Sequence, residues 1–128
     1  MPGLRPYELN PLNRGCVEKI VICFRKNGQW IDKTDKTFYL TCKTKPWDNV
    51  ADDSDAIFKK TGTIPDTANE PGRVVFELSE TDTYLDPTVT YFVDIVETDN
   101  DGDSNAQRDF IGNFHVIGGA NNAQAGGE

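Results

Sequence analysis

An acidic turn near the end of the chain holds the residue types that bind hard cations. Asp99, Asp101 and Asp103 occupy alternate positions of this turn, and calcium prefers carboxylate oxygens gathered in that way. The turn departs from the EF-hand template, because its glycine stands fourth instead of sixth and position twelve is Phe110 instead of glutamate. A calcium loop of another kind and a solvated turn built from Asp and Asn both remain open. Of the two, the solvated turn is the simpler, because Asp and Asn are ordinary turn residues, and we therefore expect no bound metal.

Groups that could support catalysis are sparse. The one histidine, His115, alternates with apolar residues, a pattern typical of a structural histidine on a strand. No serine or cysteine lies in a nucleophile motif such as GxSxG, and no glycine-rich phosphate loop is present. The 21 acidic residues could form carboxylate pairs, but charges on an acidic chain usually solvate its surface. We therefore expect a protein that is not an enzyme and that takes no cofactor.

The cysteines indicate free thiols. Cys16, Cys23 and Cys42 are odd in number and show no CxxC spacing. This usage favours a reducing compartment over a disulfide framework or a zinc site.

Charge and hydropathy exclude two classes of partner. The formal net charge is −8, and the 13 Lys and Arg residues are scattered, so no dense cluster is available to neutralise phosphates. No apolar stretch approaches the ~20 residues that a membrane span requires. The first 13 residues also lack the basic and apolar regions of a secretory signal. We expect neither nucleic acid nor membrane as a partner.

The elements that would position these groups are short strands with period-two alternation. The clearest turn signal is Asn27-Gly28, which tolerates positive φ at both central positions and predicts a hairpin. The strand before it is apolar on both faces, which predicts a buried, central strand. Predicted strands cover residues 17–25, 29–31, 37–44, 56–61, 73–80, 89–96 and 107–117. The predicted inward residues are Phe38, Leu40, Cys42, Val74, Phe76, Leu78, Val89, Tyr91, Val93, Ile95, Phe110, Phe114 and Val116. Between residues 37 and 44 the predicted outward residues are Thr37, Tyr39, Thr41 and Lys43, and the face that carries Asp94 is expected to be wet.

The number and spacing of these strands, without a helical period, predict an all-β fold. We expect an immunoglobulin-like antiparallel β-sandwich over residues 17–117. The proline-rich residues 1–16 are expected to form an extended arm outside the sandwich, and residues 118–128 a flexible tail rich in Gly, Ala and Asn. Tyr84 or Tyr91 would suit the tyrosine corner of such a sandwich, although a core tyrosine with a satisfied hydroxyl explains either residue equally well.

The strand motifs resemble a known family. The segments Asp35-Lys36-Thr37-Phe38-Tyr39-Leu40-Thr41, Gly72-Arg73-Val74-Val75-Phe76-Glu77-Leu78, Thr81-Asp82-Thr83, Tyr91-Phe92-Val93-Asp94-Ile95 and Gly112-Asn113-Phe114-His115-Val116 are similar to immunoglobulin-like domains of bacteriophage tails and baseplates. Such modules stand at the N-terminus of baseplate upper proteins and in related virion proteins. The resemblance covers about residues 17–117.

This resemblance implies a non-enzymatic virion structural protein, made in the host cytoplasm and assembled with other virion proteins and with copies of itself. Its place would be a tail, a baseplate, a fibre attachment or a capsid surface. Aromatic and apolar residues of the arm and of one loop are then the expected contact residues: Pro2, Leu4, Pro6, Tyr7, Leu9 and Trp47.

A second interpretation shares the fold and differs in the ligand. Exposed rings at Trp30, Tyr39 and Trp47 could stack on sugars, with the acidic turn nearby, in a carbohydrate or cell-surface binding module. Burial of the same rings at the edge of the core is the simpler explanation.

Overall fold

The structure, a computed structural model, describes residues 7–44, 56–100 and 105–118. Pro2, Leu4, Pro6, Trp47, Asp101 and Asp103 lie outside the described residues, as do residues 119–128 of the expected tail. The described chain is all-β with one short helix. Its elements are β1 (Tyr7–Glu8), β2 (Leu12–Asn13), β3 (Glu18–Cys23), β4 (Arg25–Lys26), β5 (Gln29–Trp30), β6 (Lys36–Lys43), β7 (Phe58–Thr61), β8 (Arg73–Leu78), α1 (Glu80–Thr83), β9 (Tyr91–Asp99), β10 (Gln107–Phe114) and β11 (Val116–Ile117).

The largest sheet has five strands in the order β1-β10-β9-β6-β7. All neighbours in it are antiparallel except β1, which runs parallel to β10. The other described strands form three two-stranded sheets: β3 with β8 and β4 with β5 are antiparallel, and β2 with β11 is parallel. The predicted edge strand around residues 56–61 is confirmed, since β7 is an edge strand of the five-stranded sheet.

One hydrophobic core joins the five-stranded sheet to the β3–β8 pair. The predicted inward positions of β6 and β8 are confirmed, because every second residue of each strand is buried. Phe24 and Phe38 bring the two sheets together, with ring centroids 5.5 Å apart. The innermost apolar side chains are each at most 2% exposed: Phe38, Leu40, Cys42, Val74, Phe76, Leu78, Val93, Ile95, Phe114 and Val116.

The hairpin predicted at Asn27-Gly28 is confirmed. Both residues adopt positive φ, at 53° and 78°, and Arg25 pairs with Trp30 across the turn. These dihedral signs are those of a type I′ turn, which asparagine followed by glycine adopts at little steric cost.

The prediction of a central, doubly buried first strand is wrong. Among the described residues β3 pairs with β8 alone, and its inner face, including Ile20 at 7% exposure, meets the core. On the opposite face Val21 is 41% exposed, and Lys19 and Cys23 are exposed as well. Apolar residues on both faces of a strand are typical of burial, but here the face that carries Val21 and Cys23 lies on the surface.

The outer face of β6 is less exposed to solvent than the alternation of apolar and polar residues predicts. Thr41 and Lys43 were expected to face solvent, yet they are only 6% and 8% exposed. β6 is flanked by β9 on one side and β7 on the other, and these neighbours shield its outward side chains. The wet face expected around Asp94 is likewise only half-exposed, and its Oδ2 lies 3.3 Å from Nε of Arg108.

The N-terminal segment joins the sheets where the structure describes it. Leu12 is 7% exposed and belongs to the core, and β1 and β2 pair with β10 and β11. An arm lying outside the sandwich is therefore not what residues 7–13 form. Gly112 permits this pairing, because a Cβ there would come within 2.8 Å of the Tyr7 carbonyl oxygen. Division of the chain at residues 16 and 117 stays a prediction.

A single helical turn that the alternation did not predict links β8 to β9. Ser79 caps α1 through a reciprocal pair: its Oγ accepts from the Asp82 backbone N–H, and its own N–H donates to the Asp82 carboxylate. Nζ of Lys60 lies 2.6 Å from the same carboxylate and ties α1 to β7. No helix in the described residues is long and apolar enough to span a membrane.

Of the two tyrosines suggested for a tyrosine corner, Tyr91 has the required geometry. It opens β9, and its hydroxyl accepts a hydrogen bond of 2.9 Å from the backbone N–H of Asp86, five residues upstream. Tyr84 is instead 53% exposed, with the Arg14 guanidinium 4.1 Å from its ring centroid.

We expect Tyr91→Phe to lower the free energy of unfolding by about 1 kcal/mol, because the Asp86 N–H loses its acceptor while the ring stays in the core. Tyr84→Phe is the matched control and should leave stability unchanged. Urea denaturation of both variants measures the difference. Equal effects of the two substitutions would contradict the assigned role of Tyr91.

Candidate functional site

Two acidic side chains, one buried and one half-buried, meet where β9 ends and β10 begins. The core face of β9 runs through Tyr91, Val93 and Ile95, and the same period of two places Glu97 on that face. Glu97 is accordingly only 4% exposed, although it is a charged residue near the end of a strand. Such burial requires specific partners.

The first partner is Asp109, which an irregularity in β10 brings to the same place. The register between β9 and β10 shifts between Arg108 and Phe110, so that one extra residue is accommodated in β10. A bulge of this kind re-aims the side chain that it carries. We call Glu97 and Asp109 the carboxyl pair.

The second partner is a lysine from the segment before β6. Nζ of Lys33 lies 2.9 Å from Oε1 of Glu97 and 4.8 Å from the ring centroid of Phe24. Nε2 of Gln107 donates to Oδ1 of Asp109 at 3.0 Å. Oδ2 of Asp109 is buried and receives no hydrogen bond from a donor among the described residues.

The two carboxyl groups differ in proton affinity. The pKa of Asp109 is raised to about 7. Burial is the largest cause, followed by the hydrogen bond with Glu97 and the negative charge of Glu97. Burial also acts to raise the pKa of Glu97, but the hydrogen bond with Asp109 and the Lys33 ammonium outweigh it, so the net pKa is lowered. Asp109 therefore carries the shared proton below about pH 7, which gives its buried carboxyl a partner in ionised Glu97.

A second ion pair stands next to the carboxyl pair on the same end of the sheet. Nζ of Lys36 lies 2.5 Å from Oδ1 of Asp99, and Nδ2 of Asn105 donates to Oδ2 at 2.6 Å. The hydroxyl of Thr37 bonds the side chain of Asn100. Both carboxylate oxygens of Asp99 are thus engaged within the protein.

This arrangement bears on the calcium interpretation of the acidic turn. Asp99 faces an ammonium group and an amide, while Asp101 and Asp103 lie outside the described residues. Within the part of the chain that the structure describes, no group of three or more His, Cys, Asp or Glu side chains is placed to hold a metal ion.

The chemistry available at the carboxyl pair is reversible protonation. Lys33 donates to Glu97 and Gln107 donates to Asp109, so a proton held between the two carboxyl groups is what remains to complete the pair. None of these residues was singled out from the sequence. Glu97 could have been found, because it continues the inward period of β9, whereas the bulge that delivers Asp109 has no sequence signal here.

The predicted contact residues that the structure describes have different surroundings. Tyr7 is 64% exposed and meets Phe110 edge-on, with centroids 5.9 Å apart. Leu9 is partly buried against the core, and its backbone N–H donates to the Asn113 carbonyl. Tyr7 therefore offers an exposed ring to a partner, whereas Leu9 is partly covered by the core. Neither residue belongs to the carboxyl pair.

Of the three aromatic rings suggested as sugar platforms, the two in described residues, Trp30 and Tyr39, each lie against a cation. The Arg25 guanidinium lies 4.6 Å from the Trp30 ring centroid, and the Lys59 ammonium lies 4.8 Å from that of Tyr39. Stacking of a sugar on the same faces would have to displace these groups.

The predicted free thiols are confirmed, since Cys16, Cys23 and Cys42 are all unpaired. Burial raises the pKa of the Cys42 thiol to about 12, and the charge of Asp82 adds to this rise, so this sulfur is not a ready nucleophile. His115 is half-buried between β10 and β11, and its carbonyl accepts from the Leu12 backbone N–H at 3.1 Å.

Comparison with known protein families and with curated protein sequences finds no match to this chain.

Proposed function

We propose that the chain folds as an immunoglobulin-like sandwich. The strands β10, β9, β6 and β7 follow the order of strands G, F, C and C′ of that fold, while the β3–β8 pair corresponds to B and E. The hydrogen bond of the Tyr91 hydroxyl stands at the position of the tyrosine corner, at the start of the strand equivalent to F. Order and corner together support this topology over other all-β arrangements.

On this fold we propose a non-enzymatic structural protein of a bacteriophage virion, which assembles with other virion proteins and with copies of itself. The segments that carry the family resemblance coincide with β6, β8, α1, β9 and the end of β10. They therefore supply the framework of the fold rather than an exposed loop, as expected if the likeness is one of architecture.

The observation that carries the assembly role is the open edge of β3 with its exposed apolar face. In the part of the chain that the structure describes, no strand pairs with this edge, and such an edge presents backbone donors and acceptors that another chain can use. Val17 and Val21 add apolar surface beside it, at 66% and 41% exposure. Tyr7, at 64% exposure, provides another apolar contact on the opposite sheet. Edges and rings of this kind are used in protein contacts.

The polar site supports a structural role. Below about pH 7, where Asp109 holds a proton, Lys33 balances the charge of Glu97 inside the protein, so this cluster needs no substrate to complete it. The acidic surface, at a net charge of −8, would select a partner with a basic patch and limit nonspecific association.

Density-gradient purification of particles from the producing culture tests the virion role. We expect the protein to band with intact particles and to remain with them after a high-salt wash, at a fixed ratio to the major capsid protein. Recovery only in the free protein fraction would overturn the proposal. Retention there of a labelled glycan would favour the carbohydrate-binding interpretation instead.

A further inference from the structure

The open edge of β3 can be assigned residue by residue. The backbone N–H of Phe24 donates to the Gly72 carbonyl at 2.8 Å, which continues the β3–β8 register by one position. Since backbone groups point to alternate sides along a strand, Ile20 and Ile22 direct theirs to β8. The N–H and C=O groups of Lys19, Val21 and Cys23 therefore point away from β8, and among the described residues no strand pairs with them.

This edge lacks most of the devices that keep edge strands apart. β3 has six residues, contains no proline and pairs with β8 without a register shift. The side chains beside its free backbone groups include Val21, which is 41% exposed. Lys19 is the one charged side chain on the outer face of the strand, so a partner must accommodate it.

We propose that β3 pairs with β3 of a second copy of this chain, antiparallel and across a two-fold axis at Val21. This inference rests on the proposed assembly role and names one of its contacts. The two β3–β8 pairs would then form a continuous four-stranded sheet.

The register follows from the free backbone groups. Open-edge residues must face open-edge residues, because only these have unpaired N–H and C=O groups on that side. With the axis at Val21, Lys19 faces Cys23 of the second copy and Val21 faces its own equivalent. This register alone uses all three open-edge residues of each copy.

Side-chain chemistry favours the same register. Lys19 meets a neutral cysteine instead of a second lysine, which avoids the destabilising juxtaposition of like charges. Val21 packs against Val21, and on the inner side Ile20 faces Ile22 of the second copy. The pairing thus covers apolar surface that the single chain leaves exposed.

Disulfide trapping tests the register. We would introduce Val21→Cys into a Cys23→Ser background, with Ile57→Cys in the same background as the control, because Ile57 is 40% exposed and lies outside β3. Directly opposed residues in an antiparallel pair lie within the reach of a disulfide. Under mild oxidation we expect a dimer linked between the two introduced cysteines at position 21, formed at least tenfold faster than any dimer of the control.

Sedimentation of the full chain from micromolar to millimolar concentration tests the association itself. Val21→Lys should raise the dimer dissociation constant at least tenfold, because two lysines then face each other on the axis, whereas Ile57→Lys should leave it unchanged. Equal melting temperatures for both variants show that folding is intact.

A monomer at every concentration with no selective linkage at position 21 would overturn the inference, as would a dimer that Val21→Lys does not weaken. Incorporation of such a monomer into particles would leave the virion role standing. A β3-paired dimer that is absent from particles would sink the virion role and leave the pairing intact.

Discussion

Replacement of Lys33 by methionine should lower the free energy of unfolding by about 3 kcal/mol at pH 8, because it leaves the buried Glu97 charge without its ammonium partner. The Lys33 and Glu97 side chains are 17% and 6% exposed, so water cannot take over that role effectively. The loss should shrink at pH 5, where the carboxyl pair holds a proton and carries less negative charge. Urea denaturation at the two pH values measures both effects.

Lys36→Met is the matched control for this prediction. Lys36 and Asp99 form an ion pair of similar geometry, but their side chains are 28% and 26% exposed. Solvent then compensates the loss, and the destabilisation should be much smaller than for Lys33→Met. A loss at Lys33 that is the same at pH 5 and pH 8 would mean that packing of the side chain, and not its charge, is what Glu97 requires.

Asp109→Asn should make the protein more stable above pH 7, by about 2 kcal/mol. The pKa of Asp109 is raised from 3.8 to about 7 in the folded state, mainly by burial. Between these values the folded protein keeps a proton that the unfolded chain has released, so the free energy of unfolding falls as the pH rises through this interval. Full conversion of the shift would give about 4 kcal/mol, and screening of this half-buried group reduces it to about half. Asparagine abolishes the titration and still donates to Glu97.

Asp99→Asn provides a control with the opposite sign. The hydrogen bond from Lys36, followed by that from Asn105, holds the pKa of Asp99 below its usual value. Ionised Asp99 therefore stabilises the folded state above its unfolded pKa, and the variant should be less stable than the natural protein at pH 7. Thermal unfolding from pH 4 to pH 8 distinguishes the two variants. A stability profile of Asp109→Asn parallel to that of the natural protein would contradict the shared proton.

Local patterns predicted the strands but not their neighbours. Phe38, Leu40 and Cys42 could be placed inside because a period of two fixes which side chains share a face. The same period does not distinguish an edge strand such as β3 from a central one. Apolar residues on the outer face give the same sequence pattern in both cases. The predicted exposure of Thr41 and Lys43 is wrong for a related reason, because their burial depends on flanking strands that are remote in sequence.

The candidate site was harder to predict because it depends on register. Asp109 reaches Glu97 only through the irregularity beside Arg108, and Lys33 arrives from a segment distant in sequence. The parallel pairing of β1 was also hidden, since the prolines around it suggested an arm and nothing local marks the approach to Gly112. By contrast, the Asn27-Gly28 turn was predictable because its backbone requirement is local.

Cryo-electron microscopy of intact particles tests the assembly role most directly. We predict density for the five-stranded sheet and the β3–β8 pair at defined positions on the virion, with the open edge of β3 covered by another subunit and Tyr7 at a contact. Particles in which no density fits this fold, purified from a culture that makes the protein in quantity, would contradict a structural role in the virion.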